Sequence, residues 1–424
     1  MIDRTLAPAF RQVENINIIK AAPFVLDNGI PVHVINGGQQ DLVRIELVFN
    51  NVNWNVQKPL QAFAVNSLIA EGTSSSSAFQ IAEKIDYYGA FLQNDYNYDA
   101  SLVTLYTLSK HLDNVLPVLK EIVTDAVFPE EELETFKRNQ KQKLLVNLEK
   151  NDFLCRRVFN NTLFGDTLYG YSSEAEDYNK VSRDELVEYF HLAYQPENCT
   201  IIVSGKVDDT ILSLINKHLG RNWDKSLKAA HNVFSFPVKP GGFHYVEKPE
   251  ALQSAIRVGQ ISVNRSHPDF PALQVLNTVL GGYFGSRLMA NIREEKGYTY
   301  GIGSALVSLQ HAGYFFIASE VGADVCSATM AEIEKEVNLL KTELIPEDEL
   351  QLVKNYMLGS FLGSLENAFS HADKYKNILF SGLDYDYYDR YVKTVKEISA
   401  GTLLELARFY LDFDAFNKVV VGKK

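Results

Sequence analysis

The chain has 424 residues, of which 46% are hydrophobic and 22% charged, and its formal net charge at pH 7 is −12. A chain of this length and composition buries a large core and is long enough for two domains. The negative charge disfavours nucleic acids and anionic membranes as partners, because both would repel the protein at long range. It is compatible with basic or neutral polypeptides.

The N-terminus and the cysteines predict the compartment. The first twenty residues lack an apolar segment and include two acidic side chains, unlike a signal or transit peptide. The chain has three widely spaced cysteines, Cys155, Cys199 and Cys326. An odd, scattered set argues against a disulfide framework and suits a reducing compartment. The sequence therefore predicts a cytoplasmic protein.

In chain order, the first predicted elements are strands. The segment Phe24–Ile35 is apolar and β-branched around the turn pair Asn28-Gly29. Leu42–Asn50 alternates apolar with polar residues, which is typical of a strand with one buried face. Helical spacing begins near Leu60.

Two helix starts follow from capping chemistry. Thr73 and the serines at 74–77 could form a flexible linker, but a cap before a helix over Ala78–Tyr88 is favoured, because the residues that follow are periodic. Another helix is predicted to begin at Pro129, a residue favoured in the first turn. The three glutamates after it suit the positive end of a helix.

An internal repeat divides the chain. Phe128–Leu133 recurs as Ile345–Leu350, at an offset of 217 residues. The same offset pairs Gly165 with Gly382, Val181 with Ile398, Leu186 with Leu403 and Gly205-Lys206 with Gly422-Lys423. A constant register over this span indicates two copies of one fold. Because strands precede helices, we predict the α+β class, with two similar domains of about 200 residues, each an antiparallel sheet packed with helices.

The boundary between the copies follows from composition. Residues 220–243 contain prolines and a Gly-Gly pair but few periodic apolar positions. We predict a first domain at 1–220, a linker at 221–240 and a second domain at 241–424. Residues 297–319 carry no charge, yet Gln310 and similar polar residues would be costly in lipid, so a buried β-hairpin is predicted there instead of a membrane span.

One segment of the second copy resembles part of an enzyme active site. It runs Gly281-Gly282-Tyr283-Phe284-Gly285-Ser286-Arg287-Leu288, then Arg293-Glu294-Glu295-Lys296-Gly297, and ends at Tyr300. This pattern resembles the second domain of the insulinase/pitrilysin family of zinc peptidases, which includes the mitochondrial processing peptidases. The resemblance implies that Arg293 and Tyr300 reach over a zinc site and hold the substrate. Tyr283, Phe284 and Tyr298 are candidates for lining a peptide-binding wall.

Without the resemblance, these residues would have ordinary interpretations. An Arg and a Tyr seven positions apart are usually a surface or packing pair. The three glycines at 281, 282 and 285 lack the spacing of a dinucleotide site, so we predict a tight turn before a helix. The mixed charges Arg287, Glu294, Glu295 and Lys296 are predicted to form a solvated face.

The zinc motif of the family is degenerate in this chain. The family carries His-x-x-Glu-His on a helix of its first domain. Aligned upstream of Gly72-Thr73, this motif falls on residues 63–67, where Phe63, Asn66 and Ser67 replace the ligands and the base. No two of the nine histidines are closer than thirteen residues, whereas two ligands on one helical face need a spacing of three or four. We predict no metal in this chain.

The resemblance implies a division of labour between two subunits. The family's distal Glu ligand would fall near Val146 or Asn147, with Glu149 close by, and a lone carboxylate cannot hold zinc. A heterodimer is therefore expected, in which a zinc-bearing subunit of the same family is the partner and a peptide or unfolded polypeptide is the substrate. Alone, the chain is expected to show no zinc-dependent activity.

Two alternatives stay open. One is an inactive homologue that acts as a structural scaffold or peptide-binding protein, similar to the family's members built into respiratory complexes. The other is an independent enzyme of another class, for which the sequence offers no G-x-S-x-G elbow, phosphate loop or paired-cysteine metal motif.

Overall fold

The computed structural model describes residues 16–223, 231–236 and 240–423. The predicted leaderless N-terminus falls largely in residues 1–15, outside the described part. Most of the predicted linker, at 224–230 and 237–239, lies outside it as well.

The first half folds into six strands and eight α-helices within the described residues. Its elements are β1 (Ala22–Val25), β2 (Pro31–Asn36), β3 (Leu42–Asn50), α1 (Gln61–Leu68), α2 (Ala78–Tyr87), β4 (Phe91–Tyr96), β5 (Ala100–Leu108), α3 (Leu112–Asp125), α4 (Glu130–Leu148), α5 (Asn151–Phe164), α6 (Ala175–Lys180), α7 (Arg183–Ala193), β6 (Cys199–Gly205) and α8 (Asp209–Leu219).

The second half repeats the plan with five strands and six α-helices in the part of the chain that the structure describes. Its elements are β7 (Phe243–Glu247), β8 (Gln253–Ser262), α9 (Phe270–Asn277), β9 (Thr299–Ser308), β10 (Gly313–Gly322), α10 (Cys326–Thr342), α11 (Glu347–Gly363), α12 (Ala368–Leu379), α13 (Asp386–Glu397), α14 (Ala400–Tyr410) and β11 (Asn417–Gly422). No helix among the described residues is long and apolar enough to cross a bilayer.

The two sheets share one topology. The first sheet has the order β1-β2-β6-β3-β5-β4 and the second has β7-β11-β8-β10-β9. In the first sheet the last strand, β6, lies between β2 and β3, parallel to β2 and antiparallel to β3. In the second sheet the last strand, β11, lies between β7 and β8, parallel to β7 and antiparallel to β8. The strand β1 is an addition to the first sheet. The predicted fold class, α+β in two similar domains related by duplication, is confirmed.

The offset of 217 residues holds at the level of helix ends. The helices α7 and α14 start and end at positions related by this offset, and each is capped by a serine, Ser182 or Ser399, whose side chain accepts from the backbone N–H three residues on. Gly165 and Gly382 both take a positive φ, of 64° and 67°, which glycine adopts without the strain of a Cβ. The repeat seen in the sequence therefore marks equivalent backbone geometry.

Local predictions agree with the elements, with one correction of burial. Ser77 forms a capping box with Gln80 at the start of α2, and Pro129 is the N-cap of α4 instead of its first residue. The strand β3 has the predicted bounds, but it is buried on both faces, including Arg44 and Glu46. The alternation suggested an exposed face, which the second half of the molecule covers.

That cover is part of a reciprocal exchange of helices. The helix α5, from the first half, packs across β8 and β11 of the second sheet through Cys155, Phe159 and Leu163. Its equivalent in the repeat, α12, packs across β2 and β6 of the first sheet through Ala368 and Ala372. Each sheet is therefore covered on one face by helices of its own half and on part of the other face by a helix of the opposite half.

Buried charges accompany α12. The Arg44 guanidinium lies 2.8 Å from the Glu46 carboxylate, its neighbour on β3, and 3.0 Å from the Asp373 carboxylate of α12. Lys376 donates to Glu46 at 2.6 Å. The Arg44 side chain also donates to Ser204 Oγ at 3.3 Å, so the charges have partners from both halves. Such a network specifies one docking position for α12, because any other leaves charges unpaired.

The exchange predicts that the halves unfold together. We expect Phe159→Ala, which removes a fully buried ring between the halves, to lower the free energy of unfolding by about 3–5 kcal/mol. The control Phe79→Ala, at an exposed position of α2, should change it by less than about 0.5 kcal/mol. The measurement is urea unfolding followed both by the fluorescence of Trp54 and Trp223, which report the first half, and by far-UV circular dichroism. Two separated transitions in the wild-type protein would contradict this expectation.

Candidate peptide-binding site

The residues aligned with the zinc motif are built into the first core. Asn66 is buried in α1, and its side-chain amide donates to Leu102 O at 3.2 Å and to Tyr194 Oη at 3.3 Å. Burial raises the pKa of Tyr194 to about 12, so this phenol stays neutral. The Phe63 ring lies 5.5 Å from the Tyr96 ring, centroid to centroid. Asn66 therefore acts as a structural amide where the family has a base.

These residues do not fit a zinc ion. Aromatic packing occupies the position of the first histidine, and Ser67 offers a half-buried hydroxyl at the position of the second. Glu71 follows Ser67 by four residues, and burial, together with repulsion from Glu132, raises its pKa. Glu149, near the position of the distal ligand, faces Lys248 at 3.8 Å. Among the described residues, no group of three His, Cys, Asp or Glu side chains could hold a metal ion.

The Arg/Tyr segment is built from two short π-helices, Thr278–Gly282 and Met289–Glu295, with a turn between them. A Cβ on Gly281 would lie 2.6 Å from the Ser304 backbone nitrogen, so glycine is needed for the close approach of β9. The predicted turn is present, but the helices beside it are of the π type. Such segments are rare and are often found at functional sites.

Arg293 lies in the second π-helix, where an aromatic ring packs against its guanidinium. Its guanidinium carbon is 4.5 Å from the centre of the Phe284 ring, and it has no carboxylate partner in the described part of the chain. Asn291, two residues earlier, is buried and donates to Glu332 at 2.9 Å and Glu336 at 2.7 Å. These bonds anchor the backbone that carries Arg293 and leave the donors of the guanidinium available.

Tyr300 is presented by a β-bulge at the start of β9. The pairing of β9 with β10 slips here, so that Tyr300 and Gly301 together face Glu320. Within this bulge the Thr299 hydroxyl is placed to donate to Gly301 O or Glu320 O, and Ser319 Oγ donates to Gly301 O at 2.9 Å. These bonds hold the extra residue in place. The Tyr300 side chain is 93% exposed, and its hydroxyl has no hydrogen bond to any described residue. Bulges commonly re-aim a side chain in this way.

The three predicted wall residues have different environments. Phe284 is 64% exposed and lies under Arg293. The Tyr283 ring is half-buried, 4.9 Å from the ring of Tyr356 on α11. Tyr298 packs against the second core. Tyr283 packs against the same core, so Tyr283 and Tyr298 are both half-buried, and only Phe284 of the three is exposed beside Arg293.

One residue of the predicted solvated face is not solvated. The Arg287 guanidinium makes a two-pronged ion pair with Glu349, with both N–O distances at 2.8 Å, and its side chain is only 17% exposed. The hydrogen bonds that Arg287 donates to Glu349 raise the pKa of Arg287. The prediction was wrong for Arg287, which ties the turn between the π-helices to the start of α11. Glu295 and Lys296 do pair at the surface, at 2.7 Å.

Sequence reasoning missed the contribution of α11. Leu352 and Tyr356 are exposed one turn apart on this helix and extend the apolar surface beyond Tyr283. The sequence does contain a pattern that could have revealed this surface, because Leu352 and Tyr356 are apolar residues four positions apart on a helix face that is otherwise polar. A cavity of ≈ 540 Å³ between the halves, lined by Tyr96 and Arg265 among others, includes neither Arg293 nor Tyr300. Because Phe284 and Tyr300 are both exposed, the candidate site is an open wall.

Comparison with known proteins shows which family this chain resembles. Residues 180–357, which contain Arg293 and Tyr300, match the family described as "Peptidase M16 inactive domain". The predicted resemblance to the insulinase/pitrilysin peptidases is confirmed. The M16-like chain is 28% identical over 319 residues to the Bacillus subtilis "Uncharacterized zinc protease YmxG", covering 74% of this chain and 76% of that protein.

Two further similarities bear on activity and fold. The Helicobacter pylori protein named "Non-peptidase homolog YmxG" is 22% identical over 364 residues, which cover 84% of this chain and 83% of that protein. The crystal structure of the peptidase M16 inactive domain from Pseudomonas fluorescens superposes with a TM-score of 0.85 at 20% identity, covering 95% of this chain and 98% of that one. The M16-like chain is therefore peptidase-like in both sequence and fold.

The packing around α1 predicts how the chain responds to zinc. We expect the purified chain, incubated with zinc and then desalted, to retain far less than one equivalent by elemental analysis, because Phe63, Asn66 and Ser67 supply no ligand set. The variant Glu71→Gln is the control for weak binding by the facing carboxylates. One retained equivalent together with chelator-sensitive peptide cleavage would contradict the account of a degenerate site.

Proposed function

We propose that this chain is the zinc-free subunit of a heterodimeric metallopeptidase and that it binds the peptide substrate beside the zinc of its partner. The observation that carries the proposal is the contrast in hydrogen bonding along one segment. The polar residues Asn291 and Thr299 are fixed by internal bonds, whereas Arg293 and Tyr300 are held in place but keep their donors free.

Those free donors suit the chemistry of amide hydrolysis. Negative charge develops on the carbonyl oxygen as a peptide bond is attacked, and donors preorganised around that oxygen stabilise the transition state. A guanidinium suits peptide carbonyls or a carboxylate, and a phenol suits a single oxygen. Neither group activates water, so the zinc of the partner would supply that chemistry. The open wall on this chain provides no enclosed site of its own.

The proposal includes an organisation and a location. The first domain, at 1–220, carries the degenerate motif, and the second, at 241–424, carries the Arg/Tyr pair, with 221–240 between them. The compartment we propose is the cytoplasm. Its support is that all three cysteines are unpaired, as is usual in a reducing compartment.

The trans-acting roles of the pair predict a large kinetic effect with little structural effect. In a heterodimer reconstituted with a zinc-bearing family member, Arg293→Ala or Tyr300→Phe should each reduce turnover about a hundredfold, which corresponds to about 3 kcal/mol of transition-state stabilisation. The melting temperature and the subunit affinity should be nearly unchanged, because both side chains are peripheral to the core. Arg138→Ala and Tyr87→Phe, at exposed positions of the first half, are the matched controls.

The alternative function is a scaffold or a non-hydrolytic peptide-binding protein. In that case Arg293 would contribute to packing or association, and its loss would lower the melting temperature or the affinity, with unchanged turnover per intact complex. Wild-type turnover by an intact Arg293→Ala, Tyr300→Phe double variant would refute the trans-acting role.

A further inference from the structure

The second sheet has a face that its own core does not cover. On β10, Phe315, Ile317 and Val321 point into the second core, so the residues between them point to the opposite, outer face. Strand pairing places on this outer face Ala305 of β9, Phe316, Ala318 and Glu320 of β10, and Ala255 and Arg257 of β8. Thr299 pairs with the inward-facing Val321, so the next residue, Tyr300, also lies on the outer face.

The exchanged helix α5 covers only part of the outer face. It packs on β8 and β11, through Ala255 and Val419, and leaves the β9 edge open. Gly301 is exposed, and a Cβ there would meet open space. A strip of small residues therefore runs from Tyr300 toward the rim of α5. An extended peptide held at Tyr300 would lie along this strip.

Arg257 lies at the rim of α5, at the end of the strip. Its guanidinium carbon is 4.5 Å from the centre of the Phe316 ring and 5.9 Å from that of Phe159. The side chain is half-buried, and its guanidinium has no ion pair and no hydrogen bond with any residue that the structure describes. Arg44 and Arg287, which are also withdrawn from solvent, each have a carboxylate partner.

The charged surroundings of Arg257 do not neutralise it. Burial is the main cause that lowers the pKa of Arg257, and Arg156 lowers it further. Cys155, Tyr314 and Asp152 act in the opposite direction, but the Asp152 carboxylate is beyond ion-pair distance. Glu320, the acid on the outer face, has a pKa raised by burial and by Asp152. The guanidinium thus lacks a fixed counter-charge.

An unpaired cation in this position is suited to receive an anion. A charge withdrawn from water is costly without a partner, so a carboxylate that arrives there recovers more interaction than it would at a solvated arginine. The aromatic rings hold the guanidinium plane, while its edge keeps the paired N–H donors that match the two oxygens of a carboxylate. A ligand that carries its charge on a single atom would gain less interaction energy, because it cannot accept from both N–H donors as two carboxylate oxygens do.

The register gives the distance from Tyr300. The two residues are separated by two strand spacings, from β9 to β8, and by two residues along the strands, which together amount to about 12 Å. An extended peptide covers that distance in about three or four residues.

We infer that Arg257 forms a specificity subsite for a carboxylate, which selects polypeptides with an acidic side chain three or four residues from the peptide bond held at Tyr300. The inference rests on the proposed function, because it assigns the class of substrate that Tyr300 would hold. Arg257 is a binding residue here and does not contact the reacting atoms.

The test uses the full chain alone and labelled peptides. A neutral host peptide of twelve residues is made as a series in which one glutamate moves along the sequence, and each member has a glutamine counterpart. Dissociation constants are measured by fluorescence anisotropy at two salt concentrations. At one register, the Glu peptide should bind about tenfold more tightly than its Gln counterpart, and the preference should weaken with salt.

Variants assign the preference to Arg257. Arg257→Met keeps an apolar chain against Phe316 and should abolish the Glu preference while the Gln peptide binds as before. Arg257→Lys should retain part of it. Arg157→Met, on α5 where the arginine already pairs with Glu174, is the matched control and should retain all of it.

The outcomes separate this inference from the function on which it rests. Peptides that bind the wild-type chain equally with Glu or Gln at every register overturn the subsite and leave the peptide wall intact. If none of the peptides binds, the peptide-binding role fails and the subsite with it. The Glu-to-Gln comparison needs only wild-type protein, so poor folding of a variant cannot obscure the result.

Discussion

The fold depends on the exchange of two equivalent helices between the halves. The helix α5 leaves the first half to cover the second sheet, and α12, its copy in the repeat, returns the exchange. Each sheet would otherwise expose a face of Val, Ile and Phe side chains, a large apolar patch of the kind that marks an interaction site or an aggregation hazard. We therefore expect the halves to fold as one unit, which gives the π-helical segment packed against α9 and α11 a rigid base.

This rigidity suits the proposed role, in which the chain supplies substrate-binding residues to a zinc-bearing partner. Around α1 the ligand positions are used for packing, so Asn66 and Phe63 stabilise the core. In the second half, Arg287 and Asn291 are bonded to α11 and α10, and these bonds fix the backbone that leads to Arg293. The positions around α1 thus serve packing, while donors that pair with nothing in the described chain remain exposed in the second half. A free donor on a rigid element is what substrate binding requires.

The sequence predicted those features that a local pattern encodes. The bounds of β3, the cap at Ser77 and the repeat register are local or periodic, and the structure agrees with them. The degenerate zinc motif was readable because metal ligands on a helix need a fixed spacing. The burial of the outer face of β3 was not predictable, because alternation along a strand does not show that a helix 330 residues later covers it. The partner of Arg287 is 62 residues away, and the bulge at Tyr300 is a one-residue slip in pairing that composition does not encode.

The central claim is that Tyr300 lies beside the zinc of a partner subunit. It can be tested directly by placing 3-fluorotyrosine at position 300, assembling the heterodimer with zinc-bearing and cobalt-substituted partner, and comparing the ¹⁹F spectra. A second sample labelled at Tyr87, on the first half, is the reference. The account predicts that paramagnetic cobalt shifts or broadens the signal from position 300 and leaves that from position 87 unchanged. An unperturbed resonance at position 300 in an intact heterodimer would contradict it.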